Sequence, residues 1–222
     1  VSLRKYRIKT SQEEKEQLEF FVRYKGKIFY PVEQQGAEYL RSFEETPGII
    51  ETKGLYLSKD AFWYPRGEEK IVQFQMKISV PKGWELISQG TMVTDSSTQG
   101  NRIVVRNSSS PVDEIYLTGG PLFVYKKAGE IGQALVYLRT KDDALAQKYL
   151  DATEEFLNLY SRGIGKYPYD KFALIENFWE TGYGMPSFTL LGPTVIRLPF
   201  LLESSYPHEI LHNWWGNGVF VD

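Results

Sequence analysis

The sequence predicts an α+β protein, with an antiparallel β-rich domain over residues 1–127 and an α/β part over residues 128–222. Two observations lead to this fold class. Before residue 127, short apolar runs recur about every ten residues, as they do in antiparallel sheets. From Asp142 onward, apolar residues repeat with the 3.6-residue period of a helix. We therefore expect two domains that meet near residue 127.

The clearest strand candidate spans residues 71–80, IVQFQMKISV, in which apolar and polar residues alternate. This period of two predicts one buried and one solvated face. Pro81-Lys82-Gly83 predicts the turn that follows. Residues 17–33 predict two strands around a turn at Lys25-Gly26, and DSSTQGN, residues 95–101, predicts a loop. Shorter strands are expected at LYL (55–57), WELIS (84–88), TMV (91–93), RIVVR (102–106) and IYLTG (115–119).

The second part combines two strands with one helix. Strands are predicted at residues 134–138 and 172–176, and a helix from Asp142 to a glycine stop at Gly163. Thr140 and Asp143 resemble a capping box at the start of this helix. The predicted buried stripe consists of Leu145, Tyr149, Ala152, Phe156 and Leu159.

Composition excludes several classes of protein. The net charge of −2 gives no electrostatic basis for binding nucleic acid or an anionic membrane. No apolar run approaches the roughly 20 residues of a membrane-spanning helix. The chain has no cysteine, which removes disulfides and thiolate metal ligands. The opening VSLRKYRIKT is not a signal peptide, and we expect a piece, or a mature form, of a longer chain.

The two histidines of the chain both lie in the segment HEILH, as His208 and His212. Residues four apart lie on one face of an α-helix, with Cβ atoms about 5–6 Å apart, so both imidazoles can reach one metal ion. Glu209 is rotated by about 100° from His208. It can therefore lean over the metal and act as the general base for a metal-activated water.

The flanking residues predict that this motif is helical. Ser204 and Ser205 are candidate N-caps, and Pro207 is tolerated in a first turn. Gly216 and Gly218 predict the end of the helix.

A second segment of interest is NFWETGYGMPSFTLLGP, residues 177–193. Gly182 and Gly184 permit close approaches of the backbone. Pro186 lacks an N–H, which favours the edge of a sheet over a central strand. Such an edge could pair with an extended peptide. The alternative is a Gly/Pro-rich loop that binds nothing.

The segment HEILHNWWGNGVFVD, from His208 to Asp222, resembles the zinc helix of the gluzincin aminopeptidases, the family that includes aminopeptidase N. The family pattern is H-E-x-x-H followed by an aromatic residue and a Gly-Asn pair, here Trp214 or Trp215 with Gly216-Asn217. Upstream, FALIE and then residues 183–187, YGMPS, resemble a strand of the family and its G-x-M-E-N edge strand. IYLTGGPLFVY, FWYPRG and VPKGWELISQG are similar in order and character to its N-terminal β domain.

The resemblance implies that a thermolysin-like zinc peptidase domain begins after a β-rich N-terminal domain. It implies zinc ligands His208 and His212, the general base Glu209, and substrate-binding residues Tyr183, Gly184, Met185 and Pro186. The cofactor is then zinc, and the partner is a peptide substrate.

Two departures from the family pattern qualify this implication. The family's third ligand, a Glu, follows the second His after eighteen residues, and its transition-state Tyr comes later, so both are expected beyond Asp222. Pro186 stands where the family has the Glu that binds the substrate amine. Glu176, Glu180 and Glu203 are candidates for a replacement acid. We expect residues 1–222 alone to be an inactive fragment.

The sequence thus predicts a zinc-dependent metallopeptidase of the aminopeptidase N type. One alternative is a non-catalytic peptide-binding protein on the same fold, which agrees with the loss of the amine-binding Glu. Another is a β-rich interaction module in which HExxH arose by chance. The zinc content of the purified protein separates this last class from the other two.

Overall fold

The computed structural model describes residues 19–34, 44–66, 71–98, 100–108 and 111–218. Strands β1 to β14 are Glu33–Gln34, Glu44–Glu45, Gly48–Glu51, Gly54–Leu57, Gln75–Pro81, Glu85–Ile87, Thr91–Thr98, Asn101–Asn107, Leu117–Gly120, Phe123–Ala128, Gln133–Leu138, Lys171–Glu176, Gly182–Met185 and Phe188–Leu191. The α-helices are α1, Asp143–Gly163, and α2, Ser205–Leu211, and 3₁₀ turns occupy Lys59–Ala61, Val195–Arg197 and Leu201–Glu203. The described chain is therefore β-rich with few helices, as predicted.

The β-rich part contains antiparallel sheets only, within the residues that the structure describes. A four-stranded sheet has the order β3-β4-β9-β6, a three-stranded sheet has the order β5-β8-β7, and β1 pairs with β2. The predicted alternation is confirmed, because residues 71–80 alternate between exposed and less exposed positions.

The second part is organised around a mixed five-stranded sheet with the order β10-β11-β12-β14-β13. The central strands β11, β12 and β14 are parallel, whereas β10 and β13 are antiparallel edge strands. All six residues of β12 are buried, as expected for a parallel strand covered on both faces. Helix α1 packs against this sheet, mainly against β11. The sheet places β13, the segment containing Gly184, at an edge, as predicted.

The two parts share a hydrophobic core. Ile49, Tyr56 and Ile87 of the four-stranded sheet pack in one cluster with residues of the five-stranded sheet, including Tyr137 and Phe188. The predicted domain boundary at residue 127 falls inside β10, which pairs with β11 along its length. The division into two domains stays a prediction.

The hairpin predicted for residues 17–33 is wrong. Residues 17 and 18 lie outside the described ranges, and within 19–32 the chain forms one isolated bridge, between Phe29 and Ile49. The Tyr30 N–H donates to Gly48 O at 3.0 Å, and the Ile50 N–H donates to Ile28 O at 3.1 Å. A distant strand therefore takes the hydrogen bonds that the local pattern assigned to a hairpin.

Two strand limits also differ from the prediction. A strand was predicted from residue 71, but β5 begins at Gln75. Before it, Val72 pairs only with Val112, through two hydrogen bonds of 2.8 Å. Residues 95–98 of the predicted loop continue β7 instead. Arg102 of β8 donates from Nε to Asp95 Oδ1 at 2.8 Å, which joins the two strands where the sequence is most polar.

Helix α1 is present, but its cap and its buried face differ from the prediction. Asp142 caps it by accepting a hydrogen bond from the Leu145 N–H at 2.9 Å, in place of the expected Thr140 and Asp143 pair. Leu159 is 57% exposed, so it does not belong to the buried stripe. The buried face consists of Ala146, Tyr149, Leu150, Thr153 and Leu157. The side of α1 that packs against the protein is therefore offset around the helix axis from the apolar stripe predicted from the sequence, because tertiary contacts select the buried side.

Among the described residues, no helix is long and apolar enough to cross a membrane.

Candidate metal centre

Helix α2 carries the HEILH segment, and one of its faces is anchored in the core. Tyr206 and Ile210 are fully buried. The Tyr206 ring packs edge-on against Tyr149 of α1 with centroids 4.8 Å apart, and its hydroxyl lies 2.5 Å from Thr153 Oγ1. Pro207 lies in the first turn, as predicted. This packing fixes which side of α2 faces away from the core.

The start of α2 differs from the prediction. Ser204 occupies the N-cap position, but its side chain makes no capping hydrogen bond. Its hydroxyl donates instead to the Phe200 carbonyl at 2.8 Å, because a 3₁₀ turn immediately precedes the helix. After the helix, Gly216 adopts φ +101°, in the left-handed region, where glycine is favoured. The helix itself ends earlier than predicted, at Leu211 with His212 as its C-cap, and turns lead from there to Gly216.

Three potential metal ligands lie together on the more exposed side of α2. The ring centroids of His208 and His212 are 4.4 Å apart. Ligand atoms of His208, Glu209 and His212 all lie within 4.8 Å of one another, and the described ranges contain no other such group of three. Two imidazoles and a carboxylate match the donor types that zinc takes in proteins, so these residues fit the metal.

The hydrogen bond of His212 determines which of its ring nitrogens is free. His212 Nδ1 lies 3.3 Å from the Trp215 carbonyl oxygen. A carbonyl oxygen only accepts, so Nδ1 carries the proton in this contact and Nε2 of the neutral ring keeps its lone pair. A backbone carbonyl is one of the common partners that orient a metal-binding histidine in this way.

Glu209 lies directly against the edge strand β13. A Cβ atom placed on Gly184 would come within 2.4 Å of Glu209 Oε2 and within 3.6 Å of His212 Cδ2. A side chain at position 184 would therefore force the Glu209 carboxylate or the strand to move. Burial raises the pKa of Glu209 above its usual value, while the imidazoles of His212 and His208 act in the opposite direction.

A hydrogen bond between Ser187 and Asn213 holds the β13–β14 turn against α2. The Ser187 N–H donates to Asn213 Oδ1 at 2.7 Å, and Asn213 Nδ2 donates to the carbonyls of Ile210, at 3.0 Å, and Glu209, at 3.3 Å. Ser187 is buried with φ +69°, an unusual conformation for a residue other than glycine, asparagine or aspartate. Neither residue was singled out from the sequence, although Asn213 directly follows His212.

Lys171, at the start of β12, extends this network. Its Nζ donates to Ser187 Oγ at 2.6 Å and lies 5.7 Å from the centre of the Phe188 ring. Burial, together with nearby Arg106 and against the opposing effect of Asp170, lowers the pKa of Lys171 to about 7. Lys171 ends the run KYPYDK, where nothing in the sequence distinguishes it from a surface lysine.

The three acids considered as replacements for the missing Glu lie outside the cluster of His208, Glu209 and His212. Glu176 is buried and accepts hydrogen bonds from the Arg139 N–H at 2.8 Å and from the Arg197 guanidinium at 2.6 Å. Glu180 accepts from the Thr194 N–H at 2.9 Å. Glu203 is exposed in a 3₁₀ turn. The contacts of Glu176 indicate a structural role, whereas Glu180 Oε2 is buried without a hydrogen-bond partner among the described residues.

A cavity of about 630 Å³ lies beside β13. Tyr183, Gly184 and Met185 line it, together with residues of the β-rich part. Pro186 instead lines a second cavity, of about 320 Å³, which also contacts Asn217. Three of the four predicted substrate-binding residues thus border the larger cavity, and Pro186 lies in the turn that follows β13.

Comparison with known proteins gives structural matches only. No protein-family model matches the sequence, and no curated protein matches it. The M1 zinc metallopeptidase from Deinococcus radiodurans superposes with a TM-score of 0.59 at 16% identity, over 80% of this chain and 42% of that chain. A two-domain M1 zinc metallopeptidase mutant bound to L-arginine gives a TM-score of 0.61 at 15% identity, over 85% and 45% of the two chains.

Native yeast LTA4 hydrolase is also similar, with a TM-score of 0.56 at 15% identity over 74% of this chain and 27% of that chain. The chain therefore has a fold of the kind found in M1 zinc metallopeptidases, and it spans less than half the length of these matched structures. At such low identity the similarity concerns the fold alone.

Proposed function

We propose that the chain is part of a zinc-dependent metallopeptidase of the aminopeptidase N type, in which His208 and His212 hold zinc. One observation carries the proposal. The metal-ligand cluster of α2 lies directly against Gly184 of an edge strand, so an extended peptide paired with β13 would pass beside Glu209. The similarity in fold to M1 zinc metallopeptidases supports it.

The chain's own residues then have separate roles. The Trp215 carbonyl keeps the proton of His212 on Nδ1, which leaves Nε2 for the metal. When bound, zinc supplies a Lewis acid that polarises the peptide carbonyl and makes a water easier to deprotonate. Glu209 accepts that proton, and its carboxyl lies partly buried beside the two imidazoles. β13 aligns the peptide backbone.

If Glu209 is the base, the cluster supplies two protein ligands. Catalytic zinc usually takes three, so the third must come from a group outside the cluster. Both carboxylate oxygens of Glu176 are engaged elsewhere, and Glu180 accepts the Thr194 N–H through one of its oxygens.

Substitution of Glu209 and His212 in the complete protein that contains this chain tests the proposal. Glu209→Gln should keep bound zinc and lose hydrolysis, because a base is removed and a ligand is not. His212→Ala should lose both zinc and hydrolysis. Zinc is measured by metal analysis and hydrolysis with internally quenched peptides, with and without a chelator. Chelator-resistant hydrolysis, or full activity in Glu209→Gln, would contradict the proposal.

A non-catalytic peptide-binding protein is the second candidate. Pro186 replaces the Glu that, in the resembled family, binds the substrate amine, and this loss favours a protein that keeps the cleft without aminopeptidase chemistry. The same experiment separates the two, since a binding protein retains peptide affinity and shows no chelator-sensitive hydrolysis in the wild-type chain.

A further inference from the structure

The turn between β13 and β14 has a conformation that its own sequence does not favour. It consists of Pro186 and Ser187, since Met185 pairs with Phe188. Proline fixes φ at about −65°, and Ser187 has φ +69°, a combination that occurs in type II turns. Two-residue hairpin loops favour type I′ or II′ turns instead, because the twist of those turns matches that of the strands. Contacts from outside the hairpin therefore hold this turn.

Ser187 receives such contacts through all of its polar atoms. Its N–H donates to Asn213 Oδ1 at 2.7 Å, and its carbonyl accepts from the Ala173 N–H at 3.1 Å. Its hydroxyl oxygen accepts from Lys171 Nζ at 2.6 Å, and its carbonyl lies 3.5 Å from the same nitrogen. The turn is thus joined to β12 on one side and to the residue just after the metal-ligand helix on the other.

The hydrogen bond between Lys171 and Ser187 is shielded from solvent. Lys171 is 6% exposed and Ser187 is 1% exposed. Bulk water therefore cannot take the place of either partner, and the loss of one partner leaves the other buried and unsatisfied. Lys171 and Ser187 both lie outside the metal-ligand cluster.

Two short paths lead from Ser187 to Glu209. The first passes through Asn213, whose Nδ2 donates to the backbone carbonyls of Glu209, at 3.3 Å, and Ile210, at 3.0 Å. The second follows β13 back to Gly184, where an added Cβ would come within 2.4 Å of Glu209 Oε2. The position of the turn therefore affects both the backbone and the carboxylate of Glu209.

We propose that Lys171 and Ser187 are positioning residues for Glu209, because their hydrogen bond holds the β13–β14 turn and thereby sets the distance between a peptide on β13 and the Glu209 carboxylate. They act through the turn and through Asn213, without contacting the substrate. The proposal rests on the proposed function for the role of Glu209 and for the peptide on β13. The zinc ligands are spaced by the helix itself, so zinc binding does not depend on Lys171.

Single substitutions in the complete protein test this role. Lys171→Leu and Ser187→Ala each remove one partner of the hydrogen bond. We expect each to lower kcat by about ten- to a hundredfold, since a displacement of about 1 Å can cost roughly a hundredfold in rate. KM should stay within about threefold of the wild-type value, because the peptide still pairs with β13. Zinc content, measured by metal analysis, should not change.

The double variant Lys171→Leu/Ser187→Ala separates positioning from stability. A single variant leaves a buried polar group unsatisfied, whereas replacing both partners by apolar groups can be nearly neutral for stability. We expect its midpoint of urea denaturation to be at least as high as that of either single variant. Its kcat should remain as low as theirs, because the turn is still not held. A purely structural contribution would restore kcat together with stability.

The methyl group of Met185 gives a readout that needs neither metal nor hydrolysis. Met185 is a buried residue of β13, and its ¹³C-labelled methyl resonance is assigned with a Met185→Leu variant. In the metal-free protein this resonance should move in both single variants and in the double variant. Met76 and Met92, in the three-stranded sheet, are internal controls whose resonances should stay in place.

Thr118→Val is the matched control for loss of a buried hydrogen bond. Thr118 is 3% exposed, and its hydroxyl donates to the Leu55 carbonyl at 3.1 Å within the four-stranded sheet. The substitution keeps the shape of the side chain and should lower the urea midpoint. It should change neither kcat nor the Met185 resonance.

Three results would overturn the proposal. They are a wild-type kcat in Lys171→Leu, a loss in the double variant equal to the product of the two single losses, and recovery of kcat with stability in the double variant. An unmoved Met185 resonance in the single variants would also overturn it.

The same measurements distinguish this proposal from the proposed function. If the wild-type protein neither binds zinc nor hydrolyses peptides, the peptidase proposal fails, and the Met185 resonance still decides whether Lys171 and Ser187 hold the turn. If hydrolysis requires zinc, His212 and Glu209 while Lys171→Leu and Ser187→Ala behave as wild type, the peptidase proposal stands and the positioning proposal is wrong.

Discussion

The side-chain oxygen of Asn213 accepts a 2.7 Å hydrogen bond from the backbone N–H of Ser187, and both residues are buried. Asn213 directly follows His212, and Ser187 forms the turn between β13 and β14. This single contact therefore joins the helix that carries the potential metal ligands to the strand that borders the cavity. It thereby holds the potential metal ligands close to β13, the edge strand with which a peptide could pair.

Replacement of Asn213 by leucine should destabilise the fold. The substitution keeps the size of the side chain but leaves the buried Ser187 N–H without an acceptor. We expect the free energy of unfolding to fall by about 1–3 kcal/mol, the usual cost of a buried unsatisfied group. Urea denaturation measures it. Asn158→Leu, at a partly exposed position of α1, serves as the control, and an equal loss in both variants would contradict a specific role for Asn213.

Replacement of Gly184 by alanine should impair hydrolysis more than zinc binding. The added Cβ would meet Glu209 Oε2 at 2.4 Å, so the carboxylate or β13 must move. Displacement of a catalytic group by about 1 Å can cost roughly a hundredfold in rate. We expect kcat to fall by about ten- to a hundredfold in the complete protein, with zinc content unchanged.

Gly163→Ala is the matched control for this change. A Cβ at Gly163, the last residue of α1, has no atom within 4 Å. It should leave kcat unchanged. A Gly184→Ala variant with wild-type kcat would show that β13 does not need this close approach.

Lys171 should make stability depend on pH. Its folded pKa of about 7 lies below the ordinary value of 10.5. Between these two values the unfolded chain binds a proton that the folded chain has released, so stability rises with pH across this window. Below pH 7 the full cost of burying the charged form remains.

We expect Lys171 to contribute a rise of about 2 kcal/mol between pH 7 and pH 9, since one pKa unit corresponds to about 1.4 kcal/mol. Urea denaturation at both pH values measures it. Lys171→Met should remove most of the rise, whereas Lys148→Met, at an exposed position of α1, should retain it. Identical pH dependence in the two variants would assign the effect to other groups.

Residues 1–222 alone should bind zinc only weakly. Two neutral imidazoles fill part of a four-coordinate shell, and within the described ranges no third ligand joins His208 and His212 unless Glu209 gives up its role as base. Isothermal titration calorimetry measures the affinity, and peptide hydrolysis by this piece should be negligible. Nanomolar affinity that Glu209→Gln abolishes would show that Glu209 is a ligand.

N-acetylated peptides should be hydrolysed by the complete protein at least as well as peptides with a free amine. The reason is Pro186, which offers no carboxylate where the resembled family binds the amine, and which lines a different cavity from the rest of β13. Paired kcat/KM measurements on acetylated and free peptides check this. A strong requirement for the free amine would show that another acidic residue binds the substrate amine in place of the missing Glu.

Local patterns in the sequence predicted much of the framework. Strict alternation placed one face of residues 71–80 inward, and the helical period located α1. Prediction failed where a distant partner competed with a local one. Ile28 and Tyr30 pair with β3 and not with residues 19–24, and Asp142 replaces Thr140 as the cap of α1. Propensity measures a local preference, which tertiary hydrogen bonds of similar energy can override.

The sequence by itself determined that His208, Glu209 and His212 come together, because spacing on a helix fixes their separation. Only the tertiary structure decided which other residues contact or support these three. The approach of Gly184 to Glu209, the Asn213–Ser187 hydrogen bond and the burial of Lys171 join residues that are 16 to 26 positions apart. No periodic pattern links such pairs, since their proximity results from the parallel order of β12 and β14 and from the packing of α2 against the core.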